Sequence, residues 1–220
     1  MGVYGVTFDD LHTWDAWKLY LTAPATISHP AARVKIVEVP GMDGGLDASD
    51  APAGRVTYET RDLRCCCLSK ALPKAWPALY SELLNKLHGK EMKITIDEDP
   101  AYYYLGRVSV GKPSYDRVWR IDISATCDPY KYRQASTIIA ATVPDSGTVE
   151  LKLSNDAMPT VPTITADAAV MLGWQGATYA VSAGTAYRNL DIELAAGDNL
   201  LQVTAEPGTT VTVEYQEGSL

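Results

Sequence analysis

Residues 33–47 read Arg33-Val34-Lys35-Ile36-Val37-Glu38-Val39-Pro40-Gly41-Met42-Asp43-Gly44-Gly45-Leu46-Asp47, and a short way upstream stands Trp14-Asp15-Ala16-Trp17-Lys18-Leu19-Tyr20-Leu21. Leu19 and Leu21 alternate with Lys18, Tyr20 and Thr22, and Val34 and Ile36 alternate with Lys35 and Val37. Period two predicts two half-buried strands. The second strand runs into Pro40-Gly41, where proline fixes φ and glycine reaches positive φ at little steric cost, so a shaped turn is expected. Asp43-Gly44-Gly45 continues it. Nowhere in this stretch do a nucleophile and a base, or a set of metal ligands, come together.

Outward from it, residues 3–8, 55–60 and 63–69 permit further strands before the period changes. Trp76, Leu79, Tyr80, Leu83, Leu84 and Leu87 recur at three- and four-residue spacing, which places them on one face of a helix. Pro73 and Pro77 mark its start, and Gly89 after His88, with Lys90 nearby, marks its end. Strands resume over 91–96 and 102–110, joined by the turn Asp97-Glu98-Asp99-Pro100. Over 118–127 the inward series Trp119, Ile121, Ile123, Ala125, Cys127 alternates with Arg120, Asp122, Ser124 and Thr126, as in an antiparallel strand with one wet face. Residues 1–133 therefore read as an α+β domain, a β-barrel or split barrel with one packed helix. Beyond it, short runs at 136–142, 148–153, 161–165, 168–172, 177–181, 188–194, 200–204 and 209–215 alternate with Gly, Pro, Asn and Asp. They predict an all-β sandwich of the jelly-roll or galectin-like kind over 134–220.

Composition narrows the function classes. With 46% hydrophobic and 21% charged residues in 220, the chain can bury two cores of about 100 residues each. No apolar run approaches the ~20 residues that cross a bilayer, and the N-terminus lacks the basic-then-apolar order of a secretory signal. The residues after Gly2 lack the myristoylation pattern. A formal net charge of −8, with Lys and Arg scattered, argues against specific nucleic-acid binding, which needs clustered cations.

The order of the motifs resembles the distal tail proteins of long-tailed bacteriophages and related prophages, the Dit-like family. The matching residues are Trp14, Trp17, Lys18 and Leu19, then Pro40, Gly41, Asp43, Gly44, Gly45, Leu46 and Asp47. Leu87-His88-Gly89-Lys90, Asp128-Pro129-Tyr130-Lys131-Tyr132, residues 155–165 and residues 211–220 extend the likeness over most of the chain. The resemblance implies a structural, non-enzymatic virion protein of the tail tip, synthesised in the bacterial host cytoplasm and acting without a cofactor. It implies a homo-oligomeric ring, a hexamer, whose N-terminal domains continue the tail tube while the C-terminal sandwiches project outward. Its partners would be the tail tube protein, the tape-measure protein and the tail-associated hub or lysin protein.

Candidate contacts follow from that reading. Trp17, Pro40, Gly41, Asp43, Gly44, Gly45, Leu46 and Asp47 are expected at the ring interface or the tube-facing edge. Tyr103 joins them because Tyr102-Tyr103-Tyr104 cannot all face one core, and aromatic residues are enriched in interface cores. Gly173-Trp174-Gln175-Gly176 and Tyr179 place an aromatic on an expected loop, where Trp174 and Tyr179 could stack on a sugar; a host-surface carbohydrate-binding module is the alternative function. Asp97, Glu98 and Asp99 are the densest carboxylate group, but a tight turn lacks the ligand register of a calcium loop. His12, His29 and His88 have no Cys or His at ligand spacing. Cys65, Cys66 and Cys67 read as strand residues with the first and third on one face, and a Cys67–Cys127 contact follows if their strands are neighbours.

Overall fold

The structure is a computed structural model and describes residues 5–115 and 118–220. Val3 and Tyr4 of the expected first strand lie outside the described residues. The chain divides into two compact units, Met1–Lys131 and Tyr132–Leu220.

The first unit begins with β1 (Val6–Phe8), β2 (Leu11–His12), the one-turn helix α1 (Thr13–Trp17), β3 (Leu19–Leu21) and β4 (Thr26–Ile27). After a small hairpin of β5 (Ile36–Glu38) and β6 (Gly45–Asp47) come β7 (Arg61–Ser69), α2 (Trp76–Leu87), β8 (Glu91–Ile96), β9 (Tyr102–Val110), β10 (Ser114–Tyr115) and β11 (Trp119–Cys127). The main sheet is antiparallel in the order β2-β1-β8-β9-β11-β7-β3, with β10 on β11 and β4 on β7. Its two edge strands, β2 and β3, are joined by α1 alone, so the sheet curls on itself as a half-barrel. Period two buries one face: Leu63, Cys65 and Cys67 from β7 meet Trp119, Ile121, Ile123 and Ala125 from β11. The apolar stripe of α2 closes this core with Leu83 and Leu87, both fully buried. Its first turn holds Pro77, and Gly89 just beyond it takes φ +77°.

Cys65 and Cys67 face the core and Cys66 the other way, as period two requires. β7 and β11 are neighbours, but Cys67 lies opposite Ile121 and Cys127 opposite Arg61, six residues apart on each strand. The Cys67–Cys127 contact is therefore not made, and all four thiols are free.

The second unit is two antiparallel sheets sharing one core. β13 (Thr137–Thr142), β14 (Thr148–Asn155), β15 (Thr163–Ala166), β16 (Val170–Trp174), β17 (Ala177–Val181), β18 (Gly197–Thr204) and β19 (Thr210–Tyr215) sort into the orders β13-β19-β15 and β14-β18-β16-β17. Ile164, Val211 and Val213 of the first sheet pack with Leu153, Leu172, Leu201 and Val203 of the second. β12 (Lys131–Arg133) pairs with the C-terminal β20 (Gly218–Ser219). The strand expected at 188–194 does not form. Asn189 accepts the Asp191 N–H at 3.0 Å through its side chain and turns the backbone, leaving isolated bridges such as Thr160–Leu194. Ile192 and Leu194 are still buried, which is why the segment reads as a strand.

Candidate assembly surface

The hairpin β5–β6 is the feature that the core does not explain. It is a sheet of two strands, registered Ile36–Asp47, Val37–Leu46 and Glu38–Gly45, with no further strand paired to it. A stalk raises it: Arg33 N donates to Thr57 O at 2.8 Å, Glu59 N to Ala31 O at 2.8 Å, and Ala32 bridges Tyr58. Its tip is a tight turn in which Met42 N donates to Val39 O at 3.1 Å, with Pro40 next and Gly41 at φ +82°, the type II geometry. Asp47 fixes the other end, accepting from Ser49 N at 2.9 Å and from Ser49 Oγ, while Ser49 Oγ accepts from Lys35 N at 2.9 Å. The two Ser49 hydrogen bonds hold the Asp47 carboxyl below its ordinary range. Gly45 is needed for contact: a Cβ there would stand 2.2 Å from Ile36 Cγ2.

Here the structure corrects the expectation of a half-buried strand. Val34 is 66% exposed, Ile36 55%, Met42 47% and Leu46 53%. Alternation specifies two faces, but burial needs a second layer, and among the described residues the hairpin has none. A hollow of about 520 Å³ on the arm is lined by Ile36, Val39, Pro40, Met42 and Gly45. Exposed apolar side chains gathered on one hairpin make this arm a candidate contact surface.

The other candidates separate. Trp17 is 4% exposed and belongs to the core, its indole N–H donating to Glu82 of α2 at 3.1 Å. It anchors the first helix on the second and offers a neighbour no surface. Tyr103 is buried as well, with Lys93 Nζ 4.8 Å from its ring centre and its phenol pKa raised by that burial. Pro40, Gly41, Asp43, Gly44, Leu46 and Asp47 all stand exposed on the arm, and Gly45 is half-buried under Ile36.

Trp174 is likewise corrected, from loop to core. Gln175 at φ +46° and Gly176 at φ +85° make a two-residue turn with positive φ at both centres, so Trp174 pairs with Ala177 inside the ladder. Trp174 is 4% exposed in the sandwich core while Tyr179 packs half-buried against that core, so Trp174 presents little of its ring to a sugar.

The acidic turn is structural. Asp99 takes Lys131 Nζ at 2.8 Å and Asp97 lies 3.3 Å from His12 Nε2. A hollow of about 560 Å³ on the wet face of the main sheet is lined by Thr22, Arg64, Cys66, Arg107, Asp122 and Ser124 among others, with charges of both signs. Burial raises the Cys66 thiol, so it is a poor nucleophile at neutral pH. Among the described residues no group of three or more His, Cys, Asp or Glu is placed to hold a metal, and no helix is long and apolar enough to cross a membrane.

A curled antiparallel sheet closed by one helix, followed by a seven-stranded sandwich, matches the crystal structure of SPP1 Dit (gp 19.1). The chain shares that fold. The TM-score is 0.69 at 15% sequence identity, and the match covers 100% of each chain. The SPP1 protein is described as a paradigm of the hub adsorption apparatus in phages that infect Gram-positive bacteria. The Dit likeness therefore rests on three-dimensional architecture: no family model and no curated protein matches the sequence. Trp17 and Trp174, which reasoning from motifs had assigned to contacts, are interior in this chain. The signal that could have separated them was the turn chemistry, Gln175-Gly176 for Trp174, and the tryptophan at i+3 from Trp14 on a single helical turn for Trp17.

Proposed function

We propose that this chain is a structural, non-enzymatic subunit of a phage tail tip, and that it works as a ring. The observation that carries the reading is the match of both units, over the whole chain, to a hub adsorption protein of a phage. A second observation supports the ring: the apolar arm at residues 33–56 has no covering layer within one copy. In the proposed ring, a hexamer, the first unit forms the annulus and the arm contributes to its contacts. A contact between an arm and a different surface of the next copy is heterologous, and such contacts close when the rotation between copies does. The ring joins the tail tube protein, with the tape-measure protein inside, to the tail-associated hub protein, in a virion made in the bacterial cytoplasm.

The test is mass measurement of the purified protein over a concentration series, followed by imaging of the particles. Six-fold rings that appear with rising concentration are expected. A protein that stays monomeric at every concentration, and also when mixed with its tail tube protein, refutes the ring. The paired variant Met42→Asp with Leu46→Asp changes two exposed side chains, so it should fold normally and fail to assemble.

A further inference from the structure

The outer face of the four-stranded sheet in the second unit carries a row of polar side chains that the fold itself does not use. We propose that this face is a shallow site for a neutral saccharide, a pyranose with neighbouring hydroxyls, centred on Gly173. Every residue in it belongs to the second unit of one copy, so the proposal stands apart from the ring.

Register builds the site. Glu150 of β14 lies opposite Gln202 of β18, Gln202 opposite Gly173 of β16, and Gly173 opposite Thr178 of β17. Alternation puts this row on the face away from the core, because the adjacent Leu151, Leu172 and Leu201 are buried. The rows on either side are closed by their own contacts. In one, the Thr148 and Thr204 hydroxyls lie 3.3 Å apart. In the other, Lys152 turns from Leu200 opposite it to Asp198 at 2.8 Å, and Ser154 donates to the same side chain at 2.6 Å. The middle row is different: the side chains of Glu150, Gln202 and Thr178, with Gln175 at the hairpin turn, have no hydrogen-bond partner among the described residues.

Gly173 makes the face concave. It lies inside β16 and does not take a positive φ, so the backbone makes no demand for glycine there. A Cβ would stand 3.1 Å from Gln202 Oε1 and 3.3 Å from Gln202 Cβ. A strand glycine of this kind lets a ligand approach the main chain closely. A hollow of about 320 Å³ opens over it, bordered by Glu150, Gln175, Thr178, Leu200 and Gln202, a volume in the range of small-molecule sites.

The chemistry selects the occupant. Two primary amides and a hydroxyl each donate and accept, and the Glu150 carboxylate accepts, which matches a run of hydroxyls that must do both. No Lys, Arg or His borders the hollow and one carboxylate does, in a chain of net charge −8, so a phosphate- or carboxylate-bearing polymer is disfavoured. Leu200, 63% exposed, gives the C–H face of a sugar ring an apolar lip. Trp174 borders the same hollow from the core, and its buried indole N–H, which has no partner among the described residues, is a reporter for the site.

The experiment is titration of the full-length, isotope-labelled protein with the methyl glycosides of glucose, galactose, mannose and N-acetylglucosamine, read by magnetic resonance shifts. At least one glycoside should give saturable shifts at Gly173, Thr178, the Trp174 indole and the side-chain amides of Gln175 and Gln202, with a Kd of about 1–10 mM, as befits a small polar ligand on an open site. Gly173→Ser, which fills the gap, and Gln202→Ala, which removes an exposed side chain, should each weaken binding about ten-fold or more, while Met171→Ala, one row away on the same face, leaves it within about two-fold. An unchanged urea midpoint of the second unit shows that each variant folds. No saturable shift with any of the four glycosides overturns the site, as do shifts centred on Tyr179 and Tyr187, or binding that survives both Gly173→Ser and Gln202→Ala. Saturable shifts at the same residues with inorganic phosphate in place of the glycosides also overturn it. Whether the protein forms rings or stays monomeric leaves each of these outcomes unchanged.

Discussion

The curled sheet is held to its helix by a few leucines, and Leu83→Ala measures how tightly. Leu83 is fully buried between α2 and the sheet, so the change removes three carbons that water does not reach in the folded chain. At about 0.8 kcal/mol for each buried methylene, the transfer loss is about 2.4 kcal/mol. A residual cavity of about 60 Å³ at about 24 cal/mol per Å³ adds about 1.5 kcal/mol, for a total near 4 kcal/mol. With a urea dependence of about 2 kcal/mol/M, the midpoint of the first unit should fall by about 2 M. Intrinsic fluorescence is a suitable probe, because Trp17, Trp76 and Trp119 lie in or against the first core and Trp174 alone in the second. Circular dichroism of the sandwich should show its own transition unmoved. Leu72→Ala, at a surface site, is the control and should shift stability by less than about 0.5 kcal/mol. If Leu83→Ala costs under about 1 kcal/mol, the leucine face of α2 is not docked. The anchoring of Trp17 through Glu82 then loses its support.

Three further outcomes are expected. Gly106→Ala should destabilise the first unit by about 1–3 kcal/mol, because its Cβ would stand 2.6 Å from Cys127 Sγ and 2.9 Å from Thr126 O; a neutral effect in urea melts refutes the close approach of β9 to β11. Asp198 hydrogen-bonds Lys152 and Ser154, which lowers its pKa from the ordinary 3.8. A depressed folded pKa gives stability that is present above the unfolded value and lost as pH falls through the folded one, so Asp198→Asn should flatten the acid limb of the second unit's stability below about pH 4, and an unchanged limb contradicts the pairing. Thiol labelling at pH 7.5 should reach Cys66 alone, slowly, with all four reacting in urea: burial pushes Cys127 up to about 12, and the hydrogen bond to Cys65 together with burial raises Cys67. Labelling of Cys127 at its unfolded rate would show that the core opens.

What the sequence disclosed was whatever one layer decides. β8 and β9 fall where alternation puts them, and the stripe from Trp76 to Leu87 is the buried side of α2, because each pattern reports a face turned to a core made by its own neighbours. What it hid depends on a second layer or on one turn. Val34 and Ile36 alternate like buried strand residues, yet among the described residues no layer covers them. Trp174 looked loop-borne beside two glycines, yet Gln175 accepts a positive φ and shortens the loop to two residues. Residues 188–194 carry buried Ile192 and Leu194, but Asn189 spends its side chain on a turn and no ladder forms.

An arm that is apolar, exposed and still shaped has a consequence for how copies would meet. A free loop of this length would lose about 1–2 kcal/mol per residue on being ordered by a partner, and association would have to offset that loss. Here Pro40-Gly41 closes the tip, Asp47 and Ser49 lock the far end, and Gly45 lets Ile36 lie flat across the ladder, all within one copy. Much of the ordering cost is met during folding, so in the proposed assembly a modest apolar contact at Met42 and Leu46 would suffice to hold two copies together. The same preorganisation would limit the geometry: in the proposed ring, an arm shaped before contact would restrict the angle between neighbours, as head-to-tail contacts need in order to close into a ring of defined number. If copies do meet through residues 39–46, position would be encoded by the turn geometry at Pro40-Gly41 and affinity by a few apolar side chains, chemistry of a kind that no catalytic motif would reveal.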